Sequence, residues 1–227
     1  LWVGHPMIDL TKKLPLKKDA RTILNLRSNQ NILLLMPASR PQELRYVLPT
    51  FMRAAKKLQQ KYPSLVVYIP SCRAAFDEIF KKAFRTYQVK GLVISQKDSA
   101  KLKPYIYSLT KIAFCKSGTV NMELALYGIP QIVGYRVSRV TAFIAKKILN
   151  FKVRFISPVN LLVNKLIIPE FVQREFDEKK IFYKSCRILE GKSEKIKIKK
   201  GYAFLKKELG EEGVVNRAAK EIINSII

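Results

Sequence analysis

The sequence is poor in the residues that most catalytic and metal-binding frameworks need. Its 227 residues include one histidine, three cysteines and one tryptophan. The cysteines, at 72, 115 and 186, show no short paired spacing and no neighbouring histidine. That argues against a disulfide framework or a zinc site, and fits a reducing compartment. His5 sits at the extreme N-terminal end, so no Ser/His/Asp set can be assembled and it reads as a linker or turn residue. Neither G-x-G-x-x-G nor G-x-x-x-x-G-K-S/T occurs, which leaves a dinucleotide fingerprint and a P-loop unsupported. No stretch of 18 apolar residues is free of charge, so no membrane-spanning helix is expected.

Negative charge is scarce as well. Lys and Arg number 43 against 17 Asp and Glu, a formal charge of +26. With 48% hydrophobic residues the chain still has ample material for a core, and global disorder is excluded. Such a surplus suits an anionic partner, although a lysine-rich proteome would also inflate it. Between Leu124 and Pro169 there is no carboxylate, but there are seven basic residues: Arg136, Arg139, Lys146, Lys147, Lys152, Arg154 and Lys165. From Lys179 to Lys207 eleven basic residues face only Glu190 and Glu194. The second run has a loop-like centre at Gly191-Lys192-Ser193 and a Lys-Ile-Lys-Ile-Lys-Lys repeat, and reads as a solvated face. Aromatic residues are not interleaved with Lys and Arg at strand spacing, so no nucleic-acid surface is expected.

Along the chain, short apolar runs alternate with amphipathic segments. Strands are expected at Asn31–Met36, Leu65–Ile69, Gly91–Ile94, Ile112–Cys115 and Ile129–Tyr135. Helices are expected from Ser39 as N-cap, with Pro41 in the first turn and Gln42 three residues on, and over Ala74–Phe84, Ser99–Ser108, Thr119–Tyr127 and Thr141–Leu149. Gly128 would stop the fourth of these. After Asn150 helices are expected near Asp177–Leu189, Tyr202–Leu209 and Val214–Ile227. Strands separated by helices of this length imply βαβ crossovers and a doubly wound, Rossmann-like parallel α/β sheet.

In such a sheet ligands sit beyond the carboxyl ends of the strands. Two segments there carry suitable chemistry. After the first strand, Pro37-Ala38-Ser39-Arg40-Pro41-Gln42-Glu43 brings a guanidinium fork suited to phosphate, or is simply a capped helix with a surface arginine. After the fourth, Lys116-Ser117-Gly118-Thr119 offers two hydroxyls and close backbone approach, with Glu123 one turn on where it could accept from vicinal hydroxyls of a ribose. Cys115 alternates into an apolar strand and reads as core.

These residues carry a resemblance. Val3-Gly4-His5-Pro6-Met7-Ile8-Asp9, the Ser39-Arg40-x-x-Glu43 segment, Lys116-Ser117-Gly118-Thr119-x-x-x-Glu123, Pro130 to Arg136, Ser157-Pro158-Val159-Asn160-Leu161-Leu162 and Ile168-Pro169-Glu170-Phe171 occur in the order found in lipid-A-disaccharide synthases. The likeness runs from the first residue to about 175, and more loosely through Gly210–Gly213. It implies a GT-B glycosyltransferase that joins UDP-2,3-diacylglucosamine to 2,3-diacylglucosamine 1-phosphate and releases UDP, with no metal or cofactor. The chain then resembles the C-terminal, donor-nucleotide half. The acceptor half and its general base would lie upstream, as the apolar, Met-less start Leu1-Trp2-Val3 also suggests.

By resemblance, Ser39, Arg40 and Glu43 line the cleft near the diphosphate and donor sugar. Ser117, Gly118 and Thr119 hold phosphate, Glu123 holds the ribose, and Asn160 lies in the cleft. Ala38 stands where the family often has Gly. Residues 1–12 would be an interdomain linker, 13–209 the UDP-sugar-binding domain and 210–227 a C-terminal helix. Expected partners are the UDP-sugar donor, an acylated glucosamine phosphate acceptor and an anionic membrane surface; a homodimer is left open. The protein would be cytoplasmic and peripheral on the inner membrane, held by Arg136, Arg139, Lys146, Lys147, Lys152 and Arg154. Two other readings remain: another GT-B UDP-sugar enzyme, or a non-catalytic remnant that binds nucleotide sugar or anionic lipid.

Overall fold

Ile32, Leu33, Leu34 and Leu35 are wholly buried because β1 (Asn31–Met36) is covered on both faces at the middle of a sheet. In the structure, a computed structural model describing residues 2–138 and 154–226, β1 pairs in parallel with β2 (Leu65–Pro70) and β4 (Thr110–Lys116). β3 (Gly91–Ile94) extends the sheet beyond β2, while β5 (Gln131–Tyr135) and β6 (Glu170–Val172) extend it beyond β4. The order is β3-β2-β1-β4-β5-β6, all parallel, which is the doubly wound arrangement read from the sequence. β6 is an addition that the sequence reading left in loop.

The described helices are α1 (Lys17–Ile23), α2 (Pro41–Lys61), α3 (Asp77–Tyr87), α4 (Gln96–Leu109), α5 (Val120–Leu126), α6 (Pro158–Val163), α7 (Glu178–Glu190), α8 (Lys192–Leu209) and α9 (Val214–Ile226). α2 buries Leu44, Val47, Leu48, Phe51, Met52, Ala55 and Leu58, the stripe expected at helical spacing. Phe51 stacks on Phe114 of β4 at 5.4 Å between ring centroids and meets Phe176 edge-on at 5.0 Å. The Phe176 ring fills the space that a side chain at Gly134 would occupy, so β5 needs glycine there. The helix expected over Thr141–Leu149 lies outside the described residues, as do Arg139, Lys146, Lys147 and Lys152.

One local expectation is corrected and another narrowed. α2 starts one residue later than anticipated. Arg40, in extended conformation, is the N-cap, Pro41 opens the helix, and the third helical position is Glu43 rather than Gln42. Glu43 decides this because its carboxylate can accept two backbone N–H groups, which glutamine at position 42 is not placed to do. The lysines of the Lys-Ile-Lys-Ile-Lys-Lys stretch are exposed, as expected of a solvated face, but the loop-like centre expected at Gly191-Lys192-Ser193 shrinks to Gly191. Gly191 ends α7, and the repeat belongs to the continuous 18-residue α8, which buries Ile198, Tyr202, Leu205 and Leu209 on one stripe. The lysines occupy its outer face.

The two ends of the chain meet. Asp9 accepts hydrogen bonds from the N–H groups of Gly213 (2.7 Å) and Val215 (2.9 Å), so it caps the start of α9 from 206 residues away in sequence. Arg217 donates to the carbonyls of Val3, Glu211 and Glu212, and His5 N–H donates to Leu209 O at 2.9 Å. His5 itself is a turn residue, its Nδ1 accepting from Met7 N–H.

Candidate functional site

Strand order reverses between β1 and β4, the position where an open α/β sheet leaves a crevice at its carboxyl edge. The two segments singled out by sequence are the loops that follow these strands. Lys116 Nζ, at the end of β4, donates to Glu43 Oε1 on α2 across 2.6 Å, and both side chains are largely buried. Glu43 Oε2 accepts the N–H groups of Ser39 (3.1 Å) and Arg40 (3.2 Å). Burial alone would raise the Glu43 pKa, but the Lys116 hydrogen bond and these N–H groups outweigh it and hold the carboxyl below its ordinary value. Glu43 therefore shapes the loop, and its oxygens are committed.

The same bonds leave Arg40 free. It is exposed, and its guanidinium meets no partner among the described residues. Ala38 is not at positive φ, so alanine is compatible with this turn. Cys72 Sγ lies 3.7 Å from Ala38 O, bringing the loop after β2 beside the loop after β1. Arg73 of that loop is exposed too. Sequence reasoning passed over Arg73; its place directly after the second strand was the available signal.

On the β4 side, the Ser-Gly-Thr turn is fixed from below. Asn121, fully buried, accepts Gly118 N–H at 2.8 Å through Oδ1 and donates to Lys116 O and Gln131 Oε1. Gln131 in turn donates to Asn121 O and Tyr202 Oη, and Tyr202 donates to Ile129 O. Every member is buried and paired, the condition under which an internal polar network rigidifies rather than weakens a core. Gly118 N–H is thus engaged, and what Gly118 offers a ligand is the absence of a side chain. The N–H groups of Thr119 and Val120 find no acceptor among the described residues, and Thr119 is exposed. Ser117 Oγ donates to Ile156 O, tying the turn to the loop ahead of α6. Burial pushes the Cys115 thiol up to about 12, with a smaller opposing effect from Asn121, so this cysteine is an inert core residue.

Glu123 lies one turn below, as expected, but is paired with Lys103 of α4 at 2.6 Å. Asn160 is placed differently from the expectation. It is fully buried, its Oδ1 accepts Ile167 and Ile168 N–H at 2.8 and 3.0 Å, and its Nδ2 donates to Ile168 O and Glu170 Oε1. All four valences of its amide are used, so Asn160 organises the 156–168 loop instead of lining the cleft. Glu170 completes that loop by accepting Ile156 and Ser157 N–H at 2.7 and 2.9 Å. Arg136 is likewise turned inward, donating to the carbonyls of Gln173 and Phe176 with its guanidinium 5.2 Å from the Phe176 ring. Of the basic residues expected at a membrane, only Arg154 is both described and exposed. Among the described residues no three His, Cys, Asp or Glu side chains gather as a metal site, and no helix is long and apolar enough to cross a membrane.

The family model for lipid-A-disaccharide synthetase matches residues 1–226. The chain belongs to this family. It is 45% identical to the lipid-A-disaccharide synthase of Prochlorococcus marinus, over 98% of this chain and 57% of that protein. With the Gloeothece citriformis enzyme it shares 36% identity over 99% of this chain and 57% of the relative. The chain thus spans somewhat more than half the length of the curated relatives it matches. Solved structures share the fold at low identity, in keeping with one Rossmann-like half of the GT-B arrangement. A Staphylococcus aureus MnaA structure solved with UDP superposes with a TM-score of 0.64, at 11% identity, over 99% of this chain and 52% of that one. A Rickettsia africae glycosyltransferase gives 0.61 at 13% identity, over 92% and 51%. The C-terminal CMP-Kdo-binding domain of WaaA from Acinetobacter baumannii gives 0.53 at 10% identity, over 83% and 95%.

Proposed function

We propose that the chain is the nucleotide-sugar-binding half of a lipid-A-disaccharide synthase, a glycosyltransferase that joins UDP-2,3-diacylglucosamine to 2,3-diacylglucosamine 1-phosphate with release of UDP. The observation that carries this reading is the meeting of the Ser39-Arg40 loop and the Ser117-Gly118-Thr119 turn at the switch point, locked together by Glu43 and Lys116, in a chain of this family. When the glycosidic bond to UDP breaks, negative charge grows on the departing diphosphate. The free Arg40 guanidinium and the open N–H groups of Thr119 and Val120 are positioned to receive that charge. Glu123 binds the ribose after exchanging its bond to Lys103, and Arg73 adds positive charge at the neighbouring loop. The general base belongs to the preceding half of the longer relatives. Acylated donor and acceptor place the working enzyme at a membrane surface, on its cytoplasmic side. Calorimetry of the 227-residue chain with UDP tests the reading: binding without transferase activity is expected. Turnover of both diacylglucosamine substrates by this chain alone would overturn the division into halves, and absence of UDP binding would overturn the site.

A further inference from the structure

Three leucines within six residues point outward beside the proposed cleft. Leu161 and Leu162 of α6 are 49% exposed and Leu166, just past the helix, is 55% exposed, whereas Val159, Val163, Ile167 and Ile168 from the same segment are buried. The segment therefore has a packed apolar side and a second apolar side that nothing among the described residues covers. Phe204 of α8, 38% exposed, adjoins it: the Lys165 ammonium lies 4.7 Å from the Phe204 ring centre. Arg154, exposed, reaches Asn164 at the end of α6 at 3.5 Å.

Neither Arg154 nor Lys165 meets a carboxylate among the described residues. The carboxylates flanking this stretch in sequence, Glu123 and Glu170, are both turned to internal partners. The face is thus apolar at its centre with the Arg154 and Lys165 cations at its α6 rim, the combination that matches an anionic bilayer surface and matches water poorly. Its position is fixed relative to the cleft, because Ser157 caps α6 and the adjacent Ile156 carbonyl is held by Ser117.

We infer that Leu161, Leu162, Leu166 and Phe204, with Arg154 and Lys165, form the surface by which this protein rests on an anionic bilayer. The leucines enter the headgroup boundary while the two cations stay at phosphate level. This rests on the proposed donor site only in direction: it sets the Ser117 turn next to the bilayer, where an acylated sugar nucleotide would present its headgroup. It also moves the membrane surface away from Arg136, whose guanidinium is committed to the carbonyls of Gln173 and Phe176 in the segment after β6.

Co-sedimentation with phosphatidylglycerol and phosphatidylcholine vesicles, at low and high salt, tests the inference. The full 227-residue chain should pellet strongly with phosphatidylglycerol and weakly with phosphatidylcholine, and a residual fraction should survive high salt because leucine insertion is not screened. Leu161→Ser/Leu162→Ser/Leu166→Ser should abolish that residual fraction and weaken low-salt partitioning roughly tenfold or more. Arg154→Gln/Lys165→Gln should lower low-salt binding while leaving preference for the apolar contact. UDP affinity, measured on each variant, reports whether the fold and the donor site persist. Unchanged vesicle binding by the triple serine variant with UDP affinity intact would overturn the inference, as would a wild-type chain that binds UDP but no vesicles. A drop in self-association of the serine variant with no change in vesicle binding would assign the face to a second copy and equally overturn it.

Discussion

Lys116 Nζ lies 2.6 Å from Glu43 Oε1, and through this bond the end of β4 and the start of α2 become one structure. The two residues are 73 positions apart in sequence, yet each borders a loop that would hold the same diphosphate. Because the carboxylate also gathers two N–H groups of the Ser39-Arg40 turn, the pair sets the position of Arg40, whose guanidinium is free to meet a ligand.

Glu43→Gln should destabilise the chain by about 1–3 kcal/mol at neutral pH, the range for losing hydrogen bonds to a charged group. The folded-state pKa of Glu43 is depressed, so its contribution is present above the unfolded pKa and is lost as pH falls through the lower, folded value. Thermal melts of both proteins from pH 2 to 7 should show curves that separate at neutral pH and converge in acid. A constant gap would mean the carboxylate charge is not the cause.

Arg40→Ala should weaken UDP binding by about 1.5–3 kcal/mol and uridine binding hardly at all, since its partner is phosphate. Calorimetry with the two ligands separates these outcomes. Equal losses would take Arg40 out of the diphosphate site.

For Glu123, UDP and uridine should suffer alike, each by roughly 1–3 kcal/mol in Glu123→Ala, because a ribose contact is common to both. Lys103→Ala should cost much less affinity, as the carboxylate it releases remains. If the lysine variant is as damaging, Glu123 acts through the ion pair with α4 and not on the ribose.

Asn160→Ala should lower stability by about 3 kcal/mol in urea titrations, because Ile167 N–H, Ile168 N–H and Ile168 O would each lose a partner inside the protein. A variant that melts like wild type while losing UDP binding would return Asn160 to the cleft.

Asp9→Asn should speed amide hydrogen exchange in α9 and leave the central sheet unaffected, since the N–H groups of Gly213 and Val215 lose a charged acceptor. The Val215 N–H is the chief influence holding the Asp9 pKa below its ordinary value. Wild-type protection of α9 should therefore fade in acid, after correction for intrinsic exchange rates. Equal protection in both proteins would show that Arg217 alone secures the helix.

Much of the fold was written locally. The buried runs at Ile32–Leu35 and Ile112–Cys115, the helical stripe from Leu44 to Leu58 and the stop at Gly128 follow from spacing alone, because side-chain period and burial obey backbone geometry. Strand position then placed the Ser39-Arg40 and Ser117-Gly118-Thr119 segments at the carboxyl edge of the sheet. Where the reading failed, the deciding partner was remote in sequence. Asn160 looks like a polar cleft residue until Ile167, Ile168 and Glu170 take all its valences. Arg136 looks like a surface cation until Gln173 and Phe176 present their carbonyls. The helix expected near Tyr202–Leu209 extends back to Lys192, because the stripe of Ile198, Tyr202, Leu205 and Leu209 gains meaning only against the rest of the core. Residue type and spacing determined which groups could bear charge or bury area; only the tertiary structure decided which of them were already paired, since hydrogen bonding is settled by distance in space and not along the chain.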